Sequence, residues 1–510
     1  GYLPLRIKSL PEGTMVPYQV ATSTFVNTHK DYFWLPNKIE TAYSTDNWGI
    51  STSATTAAAY MKKATEYLDK TGKSRDGLPF MIHDFSMRGM FGREAAAMSG
   101  FGHLCSGSAG TDTIPAVLFA MEYYKADIKN ELVGASVNAT EHSVATTNIM
   151  YIEDCLARSG EYTGKSGKVY DSGVVAGYLQ YVSSTEADPK LIAEYIFMRE
   201  TLLEFNTGIL SYVADSYDFW SVVEILLPAL RTEIMARDGK FVIRPDSGDP
   251  VKILCGSQVK DYTGETKYNG DLLTLDDAKD WFLEELCEKV GEETPHGEYG
   301  DSEPQGLFKF EGKTYNLVGE IFWNRHDKQY YYMDETKISS CEEFTQSAET
   351  KGLIEALADN FGTTKTSKGF LELDSHIGAI YGDSITLERQ DAIYSQLFAK
   401  GFCPEPVLGV GSYSYQYVTR DTHGSAVKAT NVVKNGRDVE VCKEPKTDSS
   451  KKSARGLLKV YRDEDGVIKM KDQCTREEEQ EGLLQVVFED GVLFNETSLQ
   501  EIRDRVTSTY

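Results

Sequence analysis

The chain has 510 residues, 41% of them hydrophobic, with 53 Lys and Arg against 78 Asp and Glu, a formal net charge of -25 at pH 7. Its length exceeds what one core usually organises, so two domains or one large barrel with additions are expected. The charge excludes a nucleic acid or an anionic membrane surface as a general partner, because the average surface repels both, and an anionic substrate needs a local basic pocket.

Taken in order, residues 1–30 alternate apolar and polar around Pro11-Glu12-Gly13. They predict two strands, one through Leu3, Leu5 and Ile7 and one through Met15, Pro17 and Val20, in a β-rich domain that holds residues 1–36. The opening Gly1-Tyr-Leu-Pro-Leu-Arg-Ile7 has no signal-peptide pattern, and no run of about eighteen apolar residues follows, so a soluble, cytoplasmic protein is expected. Ala57, Tyr60, Met61, Ala64, Tyr67 and Leu68 recur at helical spacing until Gly72, which places connecting helices at 37–75 and reads as core.

From 76 to 430, strand-like runs at 79–85, 133–137, 209–214, 240–244, 377–382 and 406–410 alternate with helical ones. Such alternation predicts an α/β fold with a parallel sheet, and the number of units favours a closed barrel. Residues 256–350 interrupt it with Gly, Asp and then Tyr-rich pieces such as Tyr330-Tyr-Tyr-Met333, read as an insertion with its own small β element. The tail 431–510 turns charged and hairpin-like, with strands around Leu457–Tyr461 and Gln485–Phe488, and is assigned to the β-rich domain. Eight scattered cysteines without CxxC pairing read as reduced thiols, neither a zinc site nor a disulfide framework.

The chemistry centres on Phe241-Val-Ile-Arg244-Pro-Asp246-Ser-Gly248-Asp249-Pro250, an apolar run that breaks into charge where Pro245 and Gly248 end it. A strand's carboxyl end is where α/β folds place ligands. The ordinary alternative is a polar loop whose Arg and Asp satisfy each other. Asp84, Asp215 and Asp383 also follow apolar runs, and four acidic strand ends suggest one ring of ligands for a metal or sugar hydroxyls.

Further candidates lie near other strand ends. Phe85 and Arg88 offer an aromatic face and a cation three residues apart, suited to a planar ring and an anion. In Gly110-Thr-Asp-Thr113 Asp112 can meet a ligand, or Asp112 or Thr113 caps the helix Ile114–Tyr124. His142, after Ser136-Val-Asn-Ala-Thr-Glu141, stands at the amino end of a helix over 143–157, where an imidazole can act as nucleophile toward phosphate. Gly409-Val-Gly411-Ser412 follows the strand 406–410 and can offer backbone N–H groups to a phosphate, with Arg420, Lys428, Lys443, Lys446, Lys451 and Lys452 as a basic cluster beyond it.

In order, His83-Asp-Phe-Ser-Met-Arg-Gly89, Gly110-Thr-Asp-Thr113, Ser136-Val-Asn-Ala-Thr-Glu-His-Ser143, Ala214-Asp-Ser-Tyr-Asp218, Ile243-Arg-Pro-Asp-Ser-Gly-Asp-Pro250, Tyr381-Gly-Asp-Ser384 and Gly411-Ser-Tyr-Ser-Tyr-Gln-Tyr-Val-Thr-Arg-Asp-Thr422 resemble the nicotinamide phosphoribosyltransferases, a group of type II phosphoribosyltransferases. The resemblance implies the type II phosphoribosyltransferase-like α/β barrel with a flanking β-rich domain, and the synthesis of nicotinamide mononucleotide and pyrophosphate from nicotinamide and phosphoribosyl pyrophosphate in NAD salvage. It implies that Phe85 stacks on nicotinamide, that Asp112 accepts from the carboxamide, and that Arg244 lies against nicotinamide and the phosphoribosyl group. Asp215 and Asp246 match the magnesium and pyrophosphate region, and Asp383 the carboxylate that holds ribose hydroxyls. Ser136, Ser211 and Gly382 also fall at substrate-binding positions. Gly411 and Ser412 match the 5′-phosphate site. Arg88, Arg420, Lys428, Lys443 and Lys451 match phosphate-holding residues, some serving the partner's site in a homodimer, and His142 matches a histidine transiently phosphorylated by ATP.

Two departures accompany this. Ser412 and Tyr413 replace glycines of some family members, and the family's amino-terminal region, with a tyrosine that stacks on nicotinamide from the partner subunit, is not within this numbering: either the numbering is that of a truncated longer protein, or that half of the stacking sandwich is missing. The competing readings are a nicotinate phosphoribosyltransferase, against which Asp112 speaks, and a catalytically weak binding or regulatory paralogue, against which Asp215, Asp246, Arg244 and His142 speak.

Overall fold

A computed structural model describes residues 1–262, 274–293, 299–326, 329–332, 336–382, 384–442 and 453–510. Within it the stripe ahead of Gly72 forms one long helix, α1 (Leu35–Thr71), where several connecting helices were expected. Pro36 sits in its first turn, where a missing N–H is harmless, and Gly72 ends it at φ +74°. The first strand lies at Leu5–Ser9, but the second, expected near Met15–Val20, lies at Ser23–Asn27. Pro11, Gly13 and Pro17 cannot sustain a ladder, so pairing resumes only at Ser23-Thr-Phe-Val-Asn27. Leu5–Ser9 also pairs with Gln485–Glu489 near the other end of the chain, and Leu457–Arg462 pairs with Ile468–Cys474.

Seven short strands make a parallel sheet: β1 (Ile82–Asp84), β2 (Gly110–Thr111), β3 (Asn138–Ala139), β4 (Leu210–Val213), β5 (Phe241–Arg244), β6 (Ile377–Tyr381) and β7 (Val407–Val410). Spatial neighbours run β2-β1-β7-β6-β5-β4-β3. The segment ahead of β3 also reaches β2, through Thr111 N–H to the Ala135 carbonyl (3.0 Å) and Ala135 N–H to the Ala109 carbonyl (2.7 Å). The sheet therefore curls until its two edges meet, and every strand neighbours the next in sequence. β2 has no apolar run to announce it, so the sequence pattern misses it. Residues 79 and 80, expected as the start of a strand, lie instead in a 3₁₀ turn, Leu78–Phe80. Ile82, Tyr212, Phe241, Ile243, Ile377 and Leu408 are buried in one core with the surrounding helices.

Three helices follow early strands: α2 (Arg93–Cys105), α3 (Ile114–Tyr124) and α4 (His142–Ser159). A fourth, α5 (Pro250–Cys255), follows β5 and runs into the insertion. There the helix Leu275–Glu293 covers a six-stranded sheet, with Ala278, Phe282, Phe308 and Leu317 in a separate small core. Of the Tyr-rich piece, Tyr330–Tyr332 belong to a strand and Met333 lies outside the described residues. The chain leaves at Gly256 (φ +70°) and returns at Gly352 (φ +84°), and Ser257 N–H donates to the Thr350 carbonyl at 2.9 Å. A Cβ on Gly352 would lie 2.2 Å from Gly256 N, so the two backbones touch and only glycine fits. All eight cysteines are free, and no helix among the described residues is long and apolar enough to cross a membrane.

Behind β4, Tyr212 donates to Glu194 (3.2 Å) on the helix Pro189–Glu204. Burial pushes the Glu194 carboxyl from its ordinary 4.5 up to about 8, partly offset by the Tyr212 hydroxyl and reinforced by Asp215, Asp218 and Asp188. A raised folded-state value means stability that is full below about 4.5 and lost as pH rises through about 8. Glu194→Gln is therefore expected to match the parent in thermal melts at pH 4.5 and to exceed it at pH 8 by a few kcal/mol. Equal melting curves at pH 8 would refute a neutral buried carboxyl.

Candidate active site

β1 is too short to do more than deliver His83, Asp84 and Phe85 to the rim of the curled sheet. Alternation along the strand sends His83 and Phe85 to one side, and their rings lie 4.3 Å apart at 31°. Phe85 N–H donates to the Val410 carbonyl at 3.0 Å. A Cβ on Gly409 of β7 would fall 2.7 Å from the Phe85 ring, so the phenyl is seated on bare backbone. The Arg244 guanidinium stands 5.5 Å from the centre of the same ring. Asp84, expected among a ring of acidic ligands, is not there: it is fully buried, takes Ser86 N–H at 2.9 Å, and turns its other oxygen toward Gly100 of α2. Alternation again explains this, since Asp84 lies between two residues that face the site.

Asp112 does not cap α3. Thr113 is the N-cap and makes no side-chain capping bond. The Asp112 carboxylate instead receives His83 Nε2 at 3.0 Å and Ser136 Oγ at 2.5 Å, both on Oδ1. Oδ2 has no partner among the described residues. Burial alone would raise this carboxyl, but His83, Ser136 and the charge of Arg244 together hold it below its ordinary value. Beside it opens a cavity of about 310 Å³ with Ile114, Val117 and Ser136 in its wall. Sequence reasoning missed His83 as the residue that orients Asp112. Its signal was the period of two, which puts His83 on the side of Phe85.

On the opposite side, α4 begins at His142 with Glu141 as N-cap, its carboxylate accepting Val144 N–H at 3.1 Å. His142 Nε2 stands 3.4 Å from Asp215 Oδ1 and 3.2 Å from Asp246 Oδ2. Both carboxylates are about nine-tenths buried, the His142 side chain 43% exposed. Asp246 is also held in a fork by Arg244, Nε to Oδ1 at 2.9 Å and Nη2 to Oδ2 at 3.0 Å. Arg and Asp of the loop after β5 therefore do satisfy each other, and the same carboxylate reaches His142. Gly382, at the end of β6, lies against this fork: a Cβ there would come within 2.7 Å of Arg244 Nε and of Asp246 Oδ1. Tyr381 anchors the loop by donating to the Gly248 carbonyl at 2.7 Å. Ser211 is buried in β4, and its carbonyl takes Thr140 N–H at 3.0 Å in the segment leading to His142.

The third group gathers at the ends of β1 and β7. Gly411 precedes the short helix Ser412–Gln416, and a Cβ on Gly89 would overlap Ser412. Arg88 is exposed, and Arg420 faces Asp421 at 3.7 Å. Lys428 is exposed, while Asp383, Lys443 and Lys451 lie outside the described residues.

The Asp215 Oδ1 atom is buried without a hydrogen-bond partner, and with Asp246 it offers the hard oxygen donors that suit a magnesium ion. A different acidic group, Glu372 and Glu405 beside Cys403, already encloses an ammonium: Lys73 Nζ lies 3.6 and 2.6 Å from the two carboxylates.

Residues 80–275 and 339–491 match the model of the nicotinate phosphoribosyltransferase (NAPRTase) family. Among curated proteins the chain is similar to a nicotinamide phosphoribosyltransferase of Acinetobacter baylyi, with 36% identity over 99% of this chain and 76% of that protein. It is similar to proteins of the same name in Xanthomonas campestris pv. campestris, with 26% identity over 99% and 79%, and Mycoplasma pneumoniae, with 24% over 90% and 73%.

Proposed function

The chain belongs to the nicotinate phosphoribosyltransferase family, and from that premise we propose that it is a nicotinamide phosphoribosyltransferase, an enzyme that joins nicotinamide to phosphoribosyl pyrophosphate for NAD synthesis. The observation that carries the choice of nicotinamide is the Asp112 carboxylate. Its Oδ1 is filled by His83 and Ser136, which leaves Oδ2 to accept a carboxamide N–H, while the Phe85 ring alongside offers a face to the pyridine.

In this reading the pyridine nitrogen attacks the ribose anomeric carbon, the bond to pyrophosphate breaks, and nicotinamide mononucleotide and pyrophosphate leave. Positive charge develops on the ribose and negative charge on the leaving group. Asp383 would hold the ribose hydroxyls, Gly382 and Ser211 would line the sugar's path, and Gly411 and Ser412 would take the 5′-phosphate. Arg244 and Arg88 would stabilise the departing oxygens. Asp215 and Asp246 would hold a magnesium ion, which neutralises pyrophosphate when bound.

ATP would be a co-substrate that phosphorylates His142, whose Nε2 lies beside the Asp215 and Asp246 carboxylates. The fold would be the type II phosphoribosyltransferase-like barrel with its flanking β-rich domain. We place the enzyme in the cytoplasm, where free cysteines persist. It would act as a homodimer: Ile114, Leu118 and Met121 form an exposed apolar stripe on α3, and Arg420, Lys428, Lys443 and Lys451 would serve the neighbouring subunit's site.

The test is incubation with nicotinamide, phosphoribosyl pyrophosphate, magnesium and ATP, followed by detection of the mononucleotide and pyrophosphate; no product from folded protein would refute the activity. His142→Ala is expected to abolish ATP hydrolysis while slow phosphoribosyl transfer persists. ATP hydrolysis at the parent rate in that variant would remove His142 from the coupling.

A further inference from the structure

The helix α6 (Leu499–Thr507) carries Arg503 and buries its guanidinium almost completely. The guanidinium forms no ion pair with a carboxylate among the described residues, Glu131 acting on its charge only from a distance. All its bonds go to main-chain carbonyls: Nε to Leu104 (2.8 Å), Nη1 to Leu132 (2.6 Å), and Nη2 to Ser108 (3.1 Å) and Val133 (2.7 Å). Those acceptors belong to two segments, the turn from α2 into β2 and the start of the segment that leads to β3. The same two segments are laddered together by Thr111 N–H to Ala135 and Ala135 N–H to Ala109. At the far end of that ladder stand Asp112, four residues beyond Ser108, and Ser136, three beyond Val133, joined by their own hydrogen bond. Leu499, Ile502 and Val506 pack the helix against Leu104 and Val133.

We infer that Arg503 is a positioning residue for substrate recognition: its planar fork fixes the register of the two segments and thereby holds Asp112 and Ser136 at the separation that leaves one Asp112 oxygen free for the carboxamide. A strand transmits a shift along its axis with little loss over the roughly 10–13 Å that four residues span. Two acceptors on each segment make the fork a gauge of their offset, which one ammonium on a flexible stem cannot reproduce. The inference rests on the reading of Asp112 given above.

Arg503→Lys keeps the charge and loses the fork. It is expected to raise the KM for nicotinamide about tenfold, to leave the KM for phosphoribosyl pyrophosphate within twofold, and to speed amide exchange at Thr111 and Ala135 but not at Phe241–Arg244. In an Asp112→Ala background the same change should add nothing to the nicotinamide KM. Equal effects on both substrates, or an unchanged nicotinamide KM in folded protein, would make Arg503 a stabilising residue only and overturn the inference. If Asp112→Ala alone leaves the nicotinamide KM unaltered, the carboxamide reading fails by itself, and exchange at Thr111 and Ala135 then decides whether Arg503 sets the register. Should Arg503→Lys not fold, Tyr510→Phe removes the hydroxyl that donates to the Ser106 carbonyl of the same turn (2.7 Å) and should give the same pattern at two- to threefold; a uniform effect on both substrates there would overturn the inference equally.

Discussion

Gly382→Ala is expected to lower kcat/KM about a hundredfold or more while the protein still folds. The added methyl would sit 2.7 Å from Arg244 Nε and Asp246 Oδ1 and 2.8 Å from Arg244 Nη2, closer than any carbon tolerates. β6 cannot retreat, because it is paired on both sides by β5 and β7. The fork must therefore open, which displaces both the Asp246 carboxylate and the His142 ring beside it. A shift of about 1 Å in groups that position a reacting centre costs roughly a hundredfold in rate, whereas overpacking of this size costs about 1–3 kcal/mol of stability. Gly378→Ala in the same strand is the control, since its methyl meets the flexible Lys240 stem at 3.2 Å and Val242 at an ordinary contact distance of 3.8 Å. Steady-state kinetics and thermal melts of both variants check this. If Gly382→Ala retains activity within threefold of the parent, the Arg244–Asp246 fork has no part in the reaction.

Asp112→Ser is expected to erase most of the preference for nicotinamide over nicotinate. Two carboxylates about 4 Å apart repel by roughly 4 kcal/mol at an effective dielectric of 20. The Asp112 side chain is 49% exposed, so solvent screening cuts this to about 2 kcal/mol, a discrimination of about thirtyfold. Serine can donate to a carboxylate, so nicotinate use should rise as nicotinamide use falls. The measurement is the ratio of kcat/KM for the two substrates. The other role open to Asp112, a cap on α3 that would weaken both substrates alike, is already answered by Thr113 at that position. An unchanged ratio would place the reading of the carboxamide elsewhere.

What the sequence revealed divides by physical scale. The strand Phe241–Arg244 and the helix His142–Ser159 were legible because an apolar run ending in Pro245, and an acidic cap ahead of an apolar period, are local signals. β2 was not, since two small residues acquire strand geometry only from the neighbours that pair with them. Asp84 looked like a ligand because strand-end acids share one local pattern, and only the side to which each points tells them apart. Conversely, Gly89 and Arg503 carry no local mark of their work. Each acts through contact with a residue far along the chain, and such contacts leave no trace in spacing.

The neck at Gly256 and Gly352 has a bearing on how this chain came to its present length. Because departure and return are separated by less than the width of one peptide, the sheet senses the same boundary whether a few residues or nearly a hundred lie beyond it. Selection on the catalytic body is then blind to what is inserted, and gene segments could enter or be lost there with only two small residues to preserve. Resemblance to the family model lapses between 275 and 339, inside that excursion.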